Sequence, residues 1–145
     1  MTKINKQEQV VYSAHQMFSL VCDIESYPEF LPWCINANII ESQDTFTEAS
    51  LSIAIGKLKQ TFTTANTLKA DTSITMKLIE GPFNDLHGNW QFLESENGGC
   101  QVLLEMDFEF KNKLLKYAFG AAFKNIIDSL VDSFVERARD VYALP

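Results

Sequence analysis

Lys113-Leu-Leu-Lys-Tyr-Ala-Phe-Gly-Ala-Ala-Phe-Lys-Asn-Ile-Ile-Asp-Ser-Leu-Val-Asp-Ser-Phe-Val-Glu-Arg-Ala-Arg-Asp-Val-Tyr142 decides the architecture. Its apolar residues fall in pairs one turn apart: Leu114 and Leu115, Ala118 and Phe119, Ala122 and Phe123, Ile126 and Ile127, Leu130 and Val131, Phe134 and Val135, then Ala138, Val141 and Tyr142. That period predicts one amphipathic helix with a broad apolar stripe. At about 1.5 Å per residue it reaches roughly 45 Å, longer than an ordinary strand, so it can lie across a whole sheet. Something must cover the stripe.

The segment before it supplies the cover. From Trp33 onward the period is two, and strands are predicted over Trp33–Glu41, Phe46–Ile55, Lys57–Leu68, Ser73–Glu80, Leu86–Ser95 and Gly99–Lys111. Ser42-Gln-Asp44, Gly56, Ala70-Asp-Thr72, Gly81-Pro82 and Asn97-Gly-Gly99 carry turn chemistry between them. These connections are short, so neighbouring strands should pair antiparallel. In the last strand Val102, Leu104, Met106, Phe108 and Phe110 alternate with Gln101, Glu105, Asp107, Glu109 and Lys111, with Leu103 the exception. One face is therefore buried and the other wet.

Toward the N-terminus, Ile4–Tyr12 reads as a first strand near an edge. Ser13-Ala-His-Gln16 has the form of a capping box opening a helix over Ala14–Cys22, and Ser26-Tyr-Pro-Glu29 repeats the pattern for a second short helix ending near Pro32. The expected order is one strand, two short helices, six strands and one long helix, an α+β layer pair with the helix over the concave face of a curved seven-stranded antiparallel sheet.

With 145 residues the chain most simply makes one domain. Apolar residues are 46% of it and eleven are Phe, which supports a packed core rather than disorder. A net charge of −7 argues against a chain that wraps DNA. It leaves room for a local basic patch, and Lys111, Lys113, Lys116 and Lys124 follow one another without an intervening acid. They read as a solvated helix face or as a docking patch. Cys22, Cys34 and Cys100 have no CxxC spacing and suggest reduced thiols in a cytosolic protein. Neither a secretion signal nor a membrane span is evident, so a soluble protein is expected, with at most transient contact with a membrane surface.

A bowed sheet and a straight helix should not touch along their whole lengths, which leaves a hollow. The expected lining is Met76, Leu78, Leu86, Trp90, Phe92, Met106, Phe108 and Phe110 from the sheet, and Phe119, Phe123, Ile126, Ile127 and Leu130 from the helix. These side chains either fill the gap as core or describe an apolar ligand site. Tyr27-Pro-Glu-Phe-Leu-Pro-Trp33 and Gly81-Pro-Phe-Asn-Asp-Leu86 are candidate mouth segments, or ordinary packing against the long helix.

Chemistry is sparse. His15 and His87 lie apart, with no metal-ligand spacing around either. There is no G-x-S-x-G elbow, no Cys–His dyad and no phosphate-binding glycine loop, since Gly98-Gly99 sits in a hairpin turn. The acids Asp23, Glu25 and Glu29, and Glu105, Asp107 and Glu109, are the remaining candidates for paired carboxylates, and solvation explains the second set.

Three stretches carry a family resemblance: Tyr12-Ser-Ala-His-Gln-Met-Phe-Ser-Leu-Val-Cys-Asp-Ile-Glu-Ser-Tyr-Pro-Glu-Phe-Leu-Pro-Trp-Cys34, Glu80-Gly-Pro-Phe-Asn-Asp-Leu-His-Gly-Asn-Trp-Gln-Phe92, and the long final helix. Together they resemble the RatA and coenzyme-Q-binding family of START-like proteins, within the polyketide cyclase and lipid transport group. The resemblance implies a helix-grip fold of the START and Bet v 1 kind, with a hydrophobic tunnel under the final helix. It implies Phe30, Leu31 and Trp33 at the tunnel entrance with Phe83 opposite, and Phe119, Phe123 and Ile127 on the helix side.

Its functional implications diverge. Mitochondrial members resemble non-enzymatic ubiquinone carriers that support respiration. Bacterial members are described as ribosome-association toxins that bind the large subunit and block subunit joining, which here would use Lys111, Lys113, Lys116 and Lys124. The cyclase label implies an enzyme. The leading expectation is a cytoplasmic, non-enzymatic binder of ubiquinone or a similar isoprenoid lipid, working without a cofactor and in reach of the inner membrane.

Overall fold

A computed structural model describes residues 1–142. Nine residues of β1 (Thr2–Val10) are followed by helix α1 (Ala14–Cys22) and a 3-10 helix over Ile24–Glu29. Six strands come next, β2 (Cys34–Gln43), β3 (Phe46–Ile55), β4 (Leu58–Lys69), β5 (Ser73–Glu80), β6 (Phe83–Glu94) and β7 (Cys100–Phe110), before helix α2 (Lys113–Val141). The sheet order is β1-β7-β6-β5-β4-β3-β2, antiparallel throughout. This is the helix-grip architecture of START-like proteins, as expected.

Local chemistry accounts for the element ends. Ser13 caps α1 with the full capping box, its hydroxyl accepting from the Gln16 amide while the Gln16 side chain accepts from the Ser13 amide. The second box does not form. Asp23 ends α1 and begins the 3-10 helix at once, so Ser26 falls inside that helix, and Pro28 lies near its end rather than in its first turn. Asn112 caps α2 by accepting from the Leu115 amide at 2.8 Å.

Alternation on β7 is as expected, with Val102, Leu104, Met106, Phe108 and Phe110 buried and Leu103 half-buried on the outer face. The expected loop Gly81–Leu86 shrinks to Gly81-Pro82, because β6 already begins at Phe83. Edge strand β2 is irregular, with register shifts against β3 between Cys34 and Asn36 and between Ile39 and Glu41. Near the second, the Glu25 carboxylate accepts from the Ile39 amide at 3.3 Å.

Helix α2 buries Phe119, Phe123, Ile126, Ile127, Val131, Phe134 and Ala138 on the sheet and α1. Its first turns depart from the expected stripe. Leu114 is 75% exposed and Ala118 also faces outward, because members of an adjacent pair lie about 100° apart on a helix and in these first turns only Leu115 and Phe119 turn toward the protein. Tyr117 beside them is 92% exposed.

Candidate functional site

Between α2 and the concave face lies a hollow of about 80 Å³. Its floor is Met76, Leu86, Trp90 and Met106, joined by Ala49, Leu51 and Phe62 from β3 and β4. Phe123, Ile126, Ile127, Leu130 and Phe134 roof it, and Ile24, Tyr27 and Trp33 close one side. Two polar side chains reach it from β4, Thr64 and Asn66.

Aromatic clusters stop the hollow at both ends. At the α2 N-terminal end Phe83 lies 4.8 Å from Phe110 and 5.1 Å from Phe123 between ring centroids, and Phe108 lies 4.8 Å from Phe123. At the other end Phe134 meets Tyr27 and Phe30, each at 5.3 Å, and Trp90 at 5.4 Å. Arg137 stacks its guanidinium 4.9 Å above the Phe30 ring and lies 3.5 Å from Glu29, holding the Tyr27–Trp33 segment against α2.

Several expected positions therefore belong to the packed core instead. Phe83 is 2% exposed rather than at a loop tip, since the two-residue turn draws it onto the sheet. Leu31 is fully buried beneath the 3-10 helix and is not at an entrance. Phe92 packs edge-on against Phe18 of α1 and stacks on Trp90. Phe108, Phe110 and Phe119 are buried outside the hollow, and Leu78 lies beside Gly81 at the end of β5. Phe30 contributes to the closing cluster without lining the space. Among the described residues this hollow is narrower than a ligand tunnel: 80 Å³ is the share of two or three waters, below the roughly 150 Å³ that accommodates benzene.

Sequence reading missed Ile24, Tyr27, Ala49, Leu51, Phe62, Thr64, Asn66 and Phe134 of the lining. Ala49 and Leu51 follow a period of two along β3 with Ile53, which was the available signal for them, whereas β4 offers none for Thr64 and Asn66.

Electrostatically the hollow is neutral. Tyr27 is its one titratable lining residue, and its hydroxyl donates to the Val21 carbonyl. Burial first, then nearby Cys22, Cys34 and Asp23, push that phenol well above its ordinary range, so it stays protonated. Among the described residues no cluster of His, Cys, Asp or Glu is arranged to hold a metal.

A second candidate surface lies outside. Lys111, Lys113 and Lys116 are exposed and, among the described residues, have no ion-pair partner, while Lys124 sits 3.8 Å from Asp128. Exposed Leu114 and Tyr117 lie in the same first turns of α2, and Lys113, Lys116 and Lys124 line a groove of about 460 Å³ with Asn84 and Glu109. Outside both sites, His87 bonds Asp85 at 3.0 Å and Asp107 at 3.2 Å on the wet face of the sheet, and His15 pairs with Asp71 at 2.8 Å.

A family model described as polyketide cyclase/dehydrase and lipid transport matches residues 10–135. The ribosome association toxin RatA of Escherichia coli K12 is 41% identical over 99% of this chain and 90% of its own length. The chain belongs to the RatA and coenzyme-Q-binding branch of that family. A more distant relative in the branch, the mitochondrial coenzyme Q-binding protein COQ10 of Dictyostelium discoideum, is 25% identical over 97% of this chain and 72% of its own length. Among solved structures, the Zhui aromatase/cyclase of Streptomyces sp. R1128 superposes with a TM-score of 0.85 at 16% identity, covering 98% of this chain and 96% of that one, which speaks to the fold alone. No helix among the described residues is long and apolar enough to cross a membrane.

Proposed function

We propose that this RatA-family protein acts by docking on the ribosome, with the outward face of the first half of α2 against the large subunit so that subunit joining is blocked. The observation that carries the reading is the group of exposed Lys111, Lys113 and Lys116, without an ion-pair partner among the described residues, in the same turns as exposed Leu114 and Tyr117. Ribosomal RNA offers phosphates to the ammonium groups and bases to the Tyr117 ring. The chain's net −7 opposes approach at long range, but screening beyond about 8 Å at physiological salt lets the local patch dominate at contact. RatA relatives at 38–41% identity, named for ribosome association, support it. Changing Lys113 and Lys116 together to Glu should abolish co-sedimentation with large subunits, and unchanged co-sedimentation would refute the reading.

A second reading rests on the hollow. We propose that it opens to admit the end of a neutral apolar ligand of the isoprenoid quinone class, bound without covalent chemistry. Its apolar lining and the COQ10 relative's name support this. Each methylene buried contributes about 0.8 kcal/mol, against the cost of moving half-buried Trp33, Leu51, Met76 and Leu130. A cyclase-type activity is disfavoured because the one titratable lining group, Tyr27, is tied to the backbone. Mass spectrometry of an organic extract from gently purified protein should find a prenylated quinone, and a clean extract counts against a carrier role.

A further inference from the structure

The inner face of β4 reads Phe62, Thr64, Asn66, Leu68, so two polar side chains interrupt an apolar stripe where it borders the hollow. Both are more than nine-tenths buried, Asn66 at 6% and Thr64 at 9% exposure. Burying an amide is costly unless its groups are paired. The Thr64 hydroxyl donates to Asn66 Oδ1 at 2.9 Å, which occupies the amide oxygen and fixes the plane of the group. Asn66 Nδ2 makes no hydrogen bond among the described residues and keeps some accessible surface, since no fully buried side-chain nitrogen or oxygen is left unpaired there. Two N–H donors are thus held at the edge of an otherwise apolar space.

We propose that Asn66, held by Thr64, is the polar anchor for a carbonyl oxygen of the bound ligand, which places the ligand's head group, rather than its tail, inside the hollow. This rests on the second reading above and adds the orientation and head-group chemistry. The anchor donates, so it selects an acceptor such as a ketone or quinone oxygen. A carboxylate or phosphate head is rejected, because no cationic side chain lines the space and an unpaired buried anion is strongly disfavoured. A hydrocarbon without an oxygen leaves the Asn66 donors dry and is bound less tightly. The neighbours Met76 and Leu51 are half-buried and unbranched at Cβ, suited to moving aside for a ring that 80 Å³ does not hold.

Calorimetric titration in mild detergent tests this with two probes, a decyl-tailed benzoquinone and decylbenzene. The intact protein should bind the quinone at least several-fold more tightly. Asn66→Leu should weaken the quinone roughly five- to tenfold, the scale of one buried hydrogen bond, and leave decylbenzene equal or tighter. Thr64→Val keeps the shape but releases the amide, and should give a smaller loss for the quinone alone. It also serves if Asn66→Leu does not fold. Equal quinone affinity in a folded variant, or an equal loss for both probes, overturns the anchor while leaving the cavity reading intact. Binding of neither probe by the intact protein overturns the cavity reading itself.

Discussion

The Tyr142 hydroxyl donates to the Gln16 carbonyl at 3.0 Å, joining the end of α2 to the first turn of α1 across 126 residues of chain. Its ring also lies 6.0 Å from that of Tyr12, so the end of the roof is fastened to the segment between β1 and α1. Replacing Tyr142 with Phe keeps the ring and removes the bond. Urea unfolding should show a loss of about 1 kcal/mol, with faster amide exchange confined to the last turn of α2.

Gly88 of β6 faces Met106 of β7 in the strand register. A Cβ there would stand 2.7 Å from the Glu105 carbonyl oxygen and 2.7 Å from the Met106 sulfur. The sulfur can swing away, but the backbone oxygen belongs to a paired strand. Gly88→Ala should therefore destabilise by about 1–3 kcal/mol in thermal or chemical melts, an overpacking penalty.

His87 gains most from its hydrogen bond to Asp85, with further attraction from Asp85 and Asp107 outweighing slight burial, so its pKa lies above the ordinary value near 6.5. A raised value in the folded state gives stability that is complete below about 6.5 and is lost as pH rises through the folded pKa. The melting temperature of the intact protein should fall across that window more than that of His87→Gln. Because His87 is about half exposed, added salt should shrink the difference.

The thiols should be unreactive. Burial, with a lesser push from Asp71, raises Cys22 to about 11, and burial with Glu94 raises Cys100 to about 11. Burial raises Cys34 as well, outweighing a smaller downward push from the Asn36 backbone. At neutral pH a disulfide reagent such as Ellman's should label the native protein slowly and all three cysteines promptly in denaturant. Fast labelling of the native chain would contradict this.

Legibility in the sequence tracked the strength of the local signal. The α1 capping box, the β5 bounds and the β7 alternation were legible because each uses one rule with no competitor. The Ser26 box failed because a cap needs chain before it that is not already committed, and Asp23 ends one helix as it begins the next. Phe83 was misplaced because Gly81-Pro82-Phe-Asn-Asp looks like a long loop, whereas pairing of Phe83 with Phe110 extends β6 to the turn itself. Thr64 and Asn66 were hidden by Thr61-Phe-Thr-Thr-Ala-Asn-Thr67, where both faces of β4 carry polar residues and no alternation stands out. Which apolar residues border empty space and which touch one another depends on ring orientation, to which a one-dimensional pattern is blind.

An open sheet has two rims, and that of β2 is crooked at two places, with one of its amides already engaged by Glu25. A neighbouring chain approaching there meets a bent backbone and an occupied donor, so flush cross-molecular pairing is blocked even though Ile35 and Ile40 offer grease for it. The kinks thus act as a safeguard against fibre growth, purchased with a little regularity at the margin.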